Sequence, residues 1–363
     1  MAVKIIVCLD GCGPQYLSES FTPNLDAIAR AGFSTIGHAA IPTVTNVNNT
    51  TIVTASLPED HGITSNYFID PETGQEVYME SSEYLLTKTI FRRAAEKGER
   101  SAVLTAKQKL KNLIQDGAIL AESAENPSSR LVDKLGPPPG IYSIEINHWL
   151  FQAAREVLLA HSPDLLYVTT TDYVNHMHAP EDEKARWNME RLDYLLGNIM
   201  DASPDMEIVV TADHGMNAKT LALDLNRILR EGGIGANAIP IIKDRYVVHH
   251  QNMGGAAYVY LEDIHSMDEA MALLKEEKGI ESVLQSREAA KIYNLHPGRI
   301  GHFLVLADKD TVFGSLPAAR EEVRIRSHGS LHEREVPIIG CGAGPVAARP
   351  ASNRDVASWV ISV

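Results

Sequence analysis

Short apolar runs recur along the chain, and most of them end in a polar residue with useful chemistry. Val3–Leu9 (VKIIVCL), Arg100–Thr105 (RSAVLT), Asp164–Thr171 (DLLYVTTT) and Glu207–Thr211 (EIVVT) are short for helices. Their near-continuous apolar character fits strands buried on both faces of a parallel sheet. Between them lie amphipathic segments that predict helices over Leu25–Ala31, Tyr84–Lys97, Asn147–Leu159 and Arg186–Met200. Pro23 near the start of the first and Gly32 after its end follow the usual asymmetry of helix termini. Phe33–Ala40 predicts a second extended run, and Val336–Gly340 a last core strand. Residues 126–140, with three successive prolines from Pro137, predict a loop.

After Asn217 the pattern changes. From about 230 to 325 short strands and helices alternate, with strands at Ala256–Leu261 and Phe303–Ala307 and a helix at Met267–Lys278. This predicts an inserted α+β cap over 230–325, leaving 1–229 and 326–363 as the core. A length of 363 residues suits one domain with a large insertion. The expected fold class is α/β, with a central, mainly parallel sheet and helices packed on it.

In open α/β sheets, ligands gather outside the carboxyl ends of the strands. Those ends carry Asp10-Gly11, Lys107 with Lys109, Asp172, and Asp213-His214-Gly215. Gly215 lets the backbone pass close to a bound group. Asp172 and His176 are four residues apart, which puts both on one face of a helical turn, where they can share a cation. His178 lies about 200° further round such a turn and faces elsewhere. The Thr- and Asn-rich stretch Ile41–Ile63 leads into a helix expected over Asn48–Ala55, starting just after Thr45. Helix N-termini attract anions, and a threonine hydroxyl there can act as a nucleophile when a metal lowers its pKa. His328, just before the last strand, can return to the same centre. Each residue also has a plain structural reading: Asp10 as a helix cap, the lysines as a solvated face, His328 as a loop histidine. Their shared position at strand ends gives them weight.

Composition narrows the partners. The formal charge of −14 argues against nucleic acid and anionic membranes. No apolar run reaches the ~18 residues of a membrane span. The chain enters a strand almost at once, with no signal-peptide layout, so the cytoplasm is the expected location. The three cysteines fit neither a zinc-finger spacing nor a complete disulfide framework. Cys8 and Cys341 read as buried small hydrophobes, and Cys12 lies beside Asp10. Neither a phosphate-cradling glycine loop nor a nucleophile elbow is present.

Taken in order, Asp10, Thr45, Asp172 with His176, Asp213 with His214, and His328 resemble the alkaline phosphatase superfamily. The resemblance implies that superfamily's three-layer core and two Zn²⁺ ions per subunit. One ion would take Asp10, the Thr45 oxygen, Asp213 and His214; the other would take Asp172, His176 and His328. Pro42–Asn48 (PTVTNVN) resembles the P-T-x-T-x-x-N stretch of the nucleotide pyrophosphatase/phosphodiesterase branch. That match implies Thr45 as nucleophile rather than Thr43, Thr50 or Thr51.

Within the branch, Gly62–Asp70 (GITSNYFID), Leu104–Leu110 (LTAKQKL) and Thr169–Pro180 (TTTDYVNHMHAP) resemble the phosphonoacetate hydrolases. The resemblance implies that Asn66 helps bind a phosphonate and that Lys107 and Lys109 hold the substrate carboxylate. It implies hydrolysis of the C–P bond through a phosphothreonine at Thr45. A small phosphonate is the expected partner, and a homodimer is an assembly open to the chain. Two rivals stay open: a phosphodiesterase or phosphatase sharing the metal ligands, and a metal- or anion-binding protein without turnover. Cys12-Gly13-Pro14 begins an arylsulfatase pattern, but Tyr16 stands where an Arg is required.

Overall fold

The computed structural model describes residues 2–244, 251–342 and 350–360. Residues 245–250 of the expected cap, and 343–349 and 361–363 of the expected core, lie outside the described residues. A seven-stranded sheet organises the core, in the order Phe33–His38, Glu335–Cys341, Glu207–Thr211, Lys4–Cys8, Leu165–Thr169, Ser101–Thr105, Leu120–Ser123. The five strands from Glu207–Thr211 to Leu120–Ser123 pair in parallel. Glu335–Cys341 runs antiparallel to both of its neighbours.

Successive residues of a strand point to opposite faces, and the apolar runs here supply both faces. Ile6, Cys8, Val103, Tyr167 and Val209 pack into one buried cluster with residues of helices Thr45–Thr54, Ile90–Glu96 and Gln108–Ile114. Ile5, Val7, Leu104, Val168 and Val210 pack into another, against helices Pro23–Ala31, Ile146–His161 and Glu183–Ala202. Burying each large aliphatic side chain contributes about 1.5–3 kcal/mol. The result is three layers, helices on both faces of a mainly parallel sheet, as the pattern predicts.

Several boundaries differ from the sequence expectation. The helix expected at Tyr84–Lys97 is only Ile90–Glu96, after a single 3-10 turn at Ser82–Tyr84. Thr89 starts it by accepting the Arg92 N–H, a local side-chain cap that overrides the apolar period upstream. The expected loop at 126–140 contains a helix, Ser129–Leu135, which buries Leu131 and ends at Gly136 before the prolines. The helix expected from Asn48 begins at Thr45, and left-handed Ala55 ends it. Cys8 and Cys12 are buried, whereas Cys341 is partly exposed at the end of its strand.

Two smaller sheets follow the Asp213-His214 strand end. Ala236–Pro240, Ala256–Leu261, Phe303–Ala307 and Ile280–Gln285 form a four-stranded antiparallel sheet with its own apolar cluster. Asn217–Leu223 lies between Thr311–Phe313 and Arg320–Ser327. In that ribbon Ser327 is opposite Asn217, so it brings His328 back beside His214. Among the described residues no helix is long and apolar enough to cross a membrane.

Candidate metal centre

Strand register assembles the centre. Cys8 is paired with both Thr169 and Thr211, and Thr105 with Thr169, so four strands end level. Asp10, Asp213 and Lys107 each lie two residues beyond those aligned positions, and Asp172 three beyond. Gly11 turns the chain at φ +71, where a Cβ would come within 2.9 Å of Asp172 Cβ, so glycine is required there. Its N–H donates to Asp213 Oδ1 at 3.1 Å, and the Asp10 N–H donates to Thr170 Oγ1 at 2.8 Å.

His176, His214 and His328 share one arrangement. Their Nδ1 atoms lie 2.7 Å from Arg326 O, 2.9 Å from Gly215 O and 2.7 Å from Thr43 O. A carbonyl oxygen only accepts, so each Nδ1 carries a proton and each Nε2 is the ring atom turned toward the centre. Those Nε2 atoms face carboxylate oxygens: His176 at 3.0 Å and His328 at 3.4 Å from Asp172 Oδ2, and His214 at 3.5 Å from both Asp10 Oδ1 and Asp213 Oδ2. Burial holds His214 below the usual imidazole range and, with the neighbouring His214, presses His328 to about 3. Neutral nitrogens aimed at carboxylates make sense with a cation between them, oriented by the backbone carbonyls behind.

The carboxylates lead to the same conclusion. Burial and then the Asp172 and Asp213 charges push Asp10 well above the ordinary carboxylate range, and burial pushes Asp213 to about 7. Asp10 Oδ2 accepts no hydrogen bond. Lys107 Nζ, 3.0 Å from Asp172 Oδ1 and 3.9 Å from Asp10 Oδ2, offsets part of the charge. Burial alone would lower the Lys107 ammonium, but the Asp172 and Asp10 carboxylates outweigh it and raise it. Two candidate ligand groups result, Asp10/Asp213/His214 and Asp172/His214/His328, each with ligand atoms within 4.8 Å of one another. The donor set of carboxylates and neutral imidazoles suits a divalent metal.

Thr45 stands at the mouth of this cluster as the first residue of its helix. Its Oγ1 lies 3.4 Å from Asp10 Oδ1 and 3.4 Å from His214 Nε2. The helix is buried throughout despite its polar sequence because most of its polar side chains find partners, with Thr50 Oγ1 the exception. Asn49 donates to Asp213 Oδ2 at 3.1 Å and accepts from the Tyr167 hydroxyl at 2.7 Å, which links the helix to the centre. Thr45, Asn66, Lys107, Lys109, Asp172 and His328 line one narrow cavity, joined there by Asp244. Lys109 is ion-paired with Asp244. Burial and the Lys107 charge press the Lys109 ammonium to about 8, while the Glu80, Asp172 and Glu125 carboxylates favour its charged form. His178 is turned away toward Asp182, 3.8 Å from its Oδ2.

Residues outside the expected set support the centre. Thr43 Oγ1 donates to Ser330 O and accepts from the Gly329 N–H, both at 2.9 Å, which ties the loop before Thr45 to the His328 loop. Lys219 and Glu333 form a fully buried ion pair at 2.9 Å, and the Gly215 N–H donates to Glu333 O at 2.7 Å. The S-x-x-E spacing of Ser330 and Glu333, a capping box, was the available clue.

Comparison with known proteins agrees with the geometry. Residues 4–331 match the family model of type I phosphodiesterase / nucleotide pyrophosphatase. Phosphonoacetate hydrolase from Sinorhizobium meliloti 1021, solved in complexes with phosphonoformate and with phosphonoacetate, superposes with a TM-score of 0.89 and 34% identity. That match covers 99% of this chain and 95% of the other. Murine ectonucleotide pyrophosphatase / phosphodiesterase 5 shares the fold, with a TM-score of 0.72 at 17% identity. An uncharacterised pyrophosphatase/phosphodiesterase of Schizosaccharomyces pombe is 26% identical over 232 residues, 58% of this chain and 44% of the relative. Family member 1 of the rat ectonucleotide enzymes is 25% identical over 230 residues, 24% of its length, so the chain spans under half of these curated relatives. By its matched length and its aligned strand ends, the chain belongs to the type I phosphodiesterase / nucleotide pyrophosphatase family, as a phosphonoacetate hydrolase-like member.

Proposed function

We propose that this chain hydrolyses the C–P bond of phosphonoacetate to acetate and phosphate, at a centre that holds two Zn²⁺ ions. The observation that carries the reading is the set of three imidazole Nε2 atoms facing buried carboxylates beside Thr45, with two lysines in the same cavity. The Sinorhizobium enzyme solved with phosphonoacetate supports the substrate. Asp10, Thr45, Asp213 and His214 would hold one ion, and Asp172, His176 and His328 the other. The ions would supply Lewis-acid stabilisation of the phosphonate oxygens and would lower the pKa of the Thr45 hydroxyl.

The protein's own groups do the rest. Thr45 Oγ1 attacks phosphorus from a helix N-terminus, whose free N–H groups favour an anion. The Asn66 amide holds a phosphonate oxygen. Acetate departs with the electron pair of the broken C–P bond, as an enolate. Lys107 and Lys109 stabilise that charge where it develops, and they select substrates with a carboxylate. The enolate takes a proton from water, and a second water cleaves the phosphothreonine to phosphate. Residues 230–325 form the inserted cap in this reading. A homodimer in the cytoplasm, with no nucleic-acid partner, completes it, in keeping with the charge of −14.

The test is phosphate release from phosphonoacetate, beside p-nitrophenyl phosphate and its diester, with zinc-loaded and chelated protein. Zinc-dependent turnover fastest on phosphonoacetate is the expected result. Faster cleavage of the diester would move the chain to the phosphodiesterase reading. Lys109→Met should raise KM for phosphonoacetate about tenfold or more, the loss of one charge-assisted bond worth ~1.5–3 kcal/mol. The same variant should change p-nitrophenyl phosphate cleavage little.

A further inference from the structure

The cavity that holds Thr45 and Asn66 measures only about 20 Å³, room for about one water. Lys107, Lys109 and Asp244 form its boundary and also border a second, wider pocket of about 450 Å³. Ligand pockets for small organic molecules run from about 300 to 1,000 Å³, so this one is far larger than an acetate needs. Ile141 and Tyr142 also line this pocket. The Tyr142 ring is set against Tyr173 at 5.9 Å between centroids, next in sequence to Asp172. Polar groups come from Gln108, Asn112 and Asn126, and further negative charge from Glu80 and Glu125.

We propose that this outer pocket is a subsite for the organic part of phosphonates larger than phosphonoacetate, namely 2-substituted phosphonoacetates with a neutral apolar or aromatic substituent. The inference rests on the C–P hydrolysis proposed above. With phosphorus at Thr45 and the carboxylate between the lysines, the organic part meets the boundary between the two cavities. A substituent on the α-carbon then lies against Ile141 and Tyr142. Glu80 and Glu125 disfavour a second carboxylate there, because an anion so placed would meet like charge. The chemistry is unchanged. The Thr45 Oγ–P bond forms as the C–P bond breaks, and the Thr45 hydroxyl proton passes to water. The electron pair stays on the substituted α-carbon as an enolate, water protonates it, and a second water frees phosphate from Thr45.

The experiment measures phosphate release by the zinc-loaded full chain from phosphonoacetate, 2-benzylphosphonoacetate and 2-phosphonosuccinate. The expected result is a kcat/KM for the benzyl acid within about tenfold of phosphonoacetate, with the succinate at least about tenfold below the benzyl acid. Ile141→Trp and, from a different segment, Asn126→Trp should each lower the benzyl-to-acetate ratio of kcat/KM by about tenfold. Two variants guard against one misfolding. Phosphonoacetate turnover with no cleavage of, and no competition from, the benzyl acid would overturn the subsite. So would a ratio that neither filling variant moves. If phosphonoacetate itself is not cleaved, the C–P reading falls, and the subsite falls with it.

Discussion

Two of the regions that bury charge in this molecule handle it in opposite ways. Lys219 and Glu333 are sealed from solvent, and their charges are settled locally. Glu333 accepts from Lys219, Asn217 and Ser330, and Lys219 also donates to Lys309 O. Burial alone would raise the Glu333 carboxyl, but these donors, led by Lys219, hold it below its ordinary range. Asp10, Asp172 and Asp213 are as deeply buried, yet their charges raise one another's burden and Lys107 answers only part of it. A settled buried charge positions loops, whereas an unsettled one marks where a cation is to act.

The largest effect should come from Thr45, the residue proposed to join the unsettled cluster to chemistry. Thr45→Ala should lower turnover on the order of 10⁴-fold, by loss of the nucleophile, while much of the metal stays bound. Steady-state rates with elemental analysis of bound zinc check this, and near-parent turnover would remove Thr45 from its role. Next, Lys219→Met should destabilise the fold by about 3–5 kcal/mol, because it strands the Glu333 carboxylate. Urea unfolding measures it; a loss below about 1 kcal/mol would mean that the pair is not settled as described.

The acidic cluster should respond the other way. Zinc added to chelated protein at about 100 times its Kd should stabilise the fold by about 2.7 kcal/mol, since the ion binds only the folded state. Calorimetry of binding and of unfolding reads this, and no stabilisation would erase the contrast between the regions. The effect that is smallest per pH unit concerns a buried neutral group. His61 accepts the Ile63 N–H on Nδ1, contacts Thr51 through Nε2, and is pressed by burial to about 3. Its folded pKa lies below the unfolded value near 6.5, so the unfolded chain binds the extra proton between them. Its stabilising contribution is present above about pH 6.5 and is lost as pH falls toward 3. Replacing it, as His61→Gln, should flatten the pH slope of stability by about 1.4 kcal/mol per pH unit between those limits.

The core and the centre were largely legible because they rest on local signals. Strands such as Lys4–Cys8 are apolar on both faces, and the next polar residues fall at the sheet's carboxyl edge. The structure gathers Asp10, Thr45, Asp172, His176, Asp213, His214 and His328 there. Local periodicity failed where a single side chain decides a boundary, as Thr89 does for Ile90–Glu96. The helix Ser129–Leu135 escaped notice because its seven residues bury only Leu131. Lys219 pairing with Glu333 spans 114 residues, and periodicity along the chain holds no trace of so distant a contact.

Thr43 has a consequence for how the chain can change in length. It is bonded to Gly329 and Ser330 and, through its carbonyl, to His328, and Thr45 opens a helix two residues later. One residue inserted between Thr43 and Thr45 would turn the hydroxyl about 100° round the helix axis, away from Asp10 and His214. Insertions near Asn126, an exposed position remote from those bonds, would leave that alignment untouched. Tolerance to added length in this molecule should therefore be graded by distance along the chain from Thr43, and a scan of single-residue insertions from 36 to 60 should show its sharpest minimum at 44.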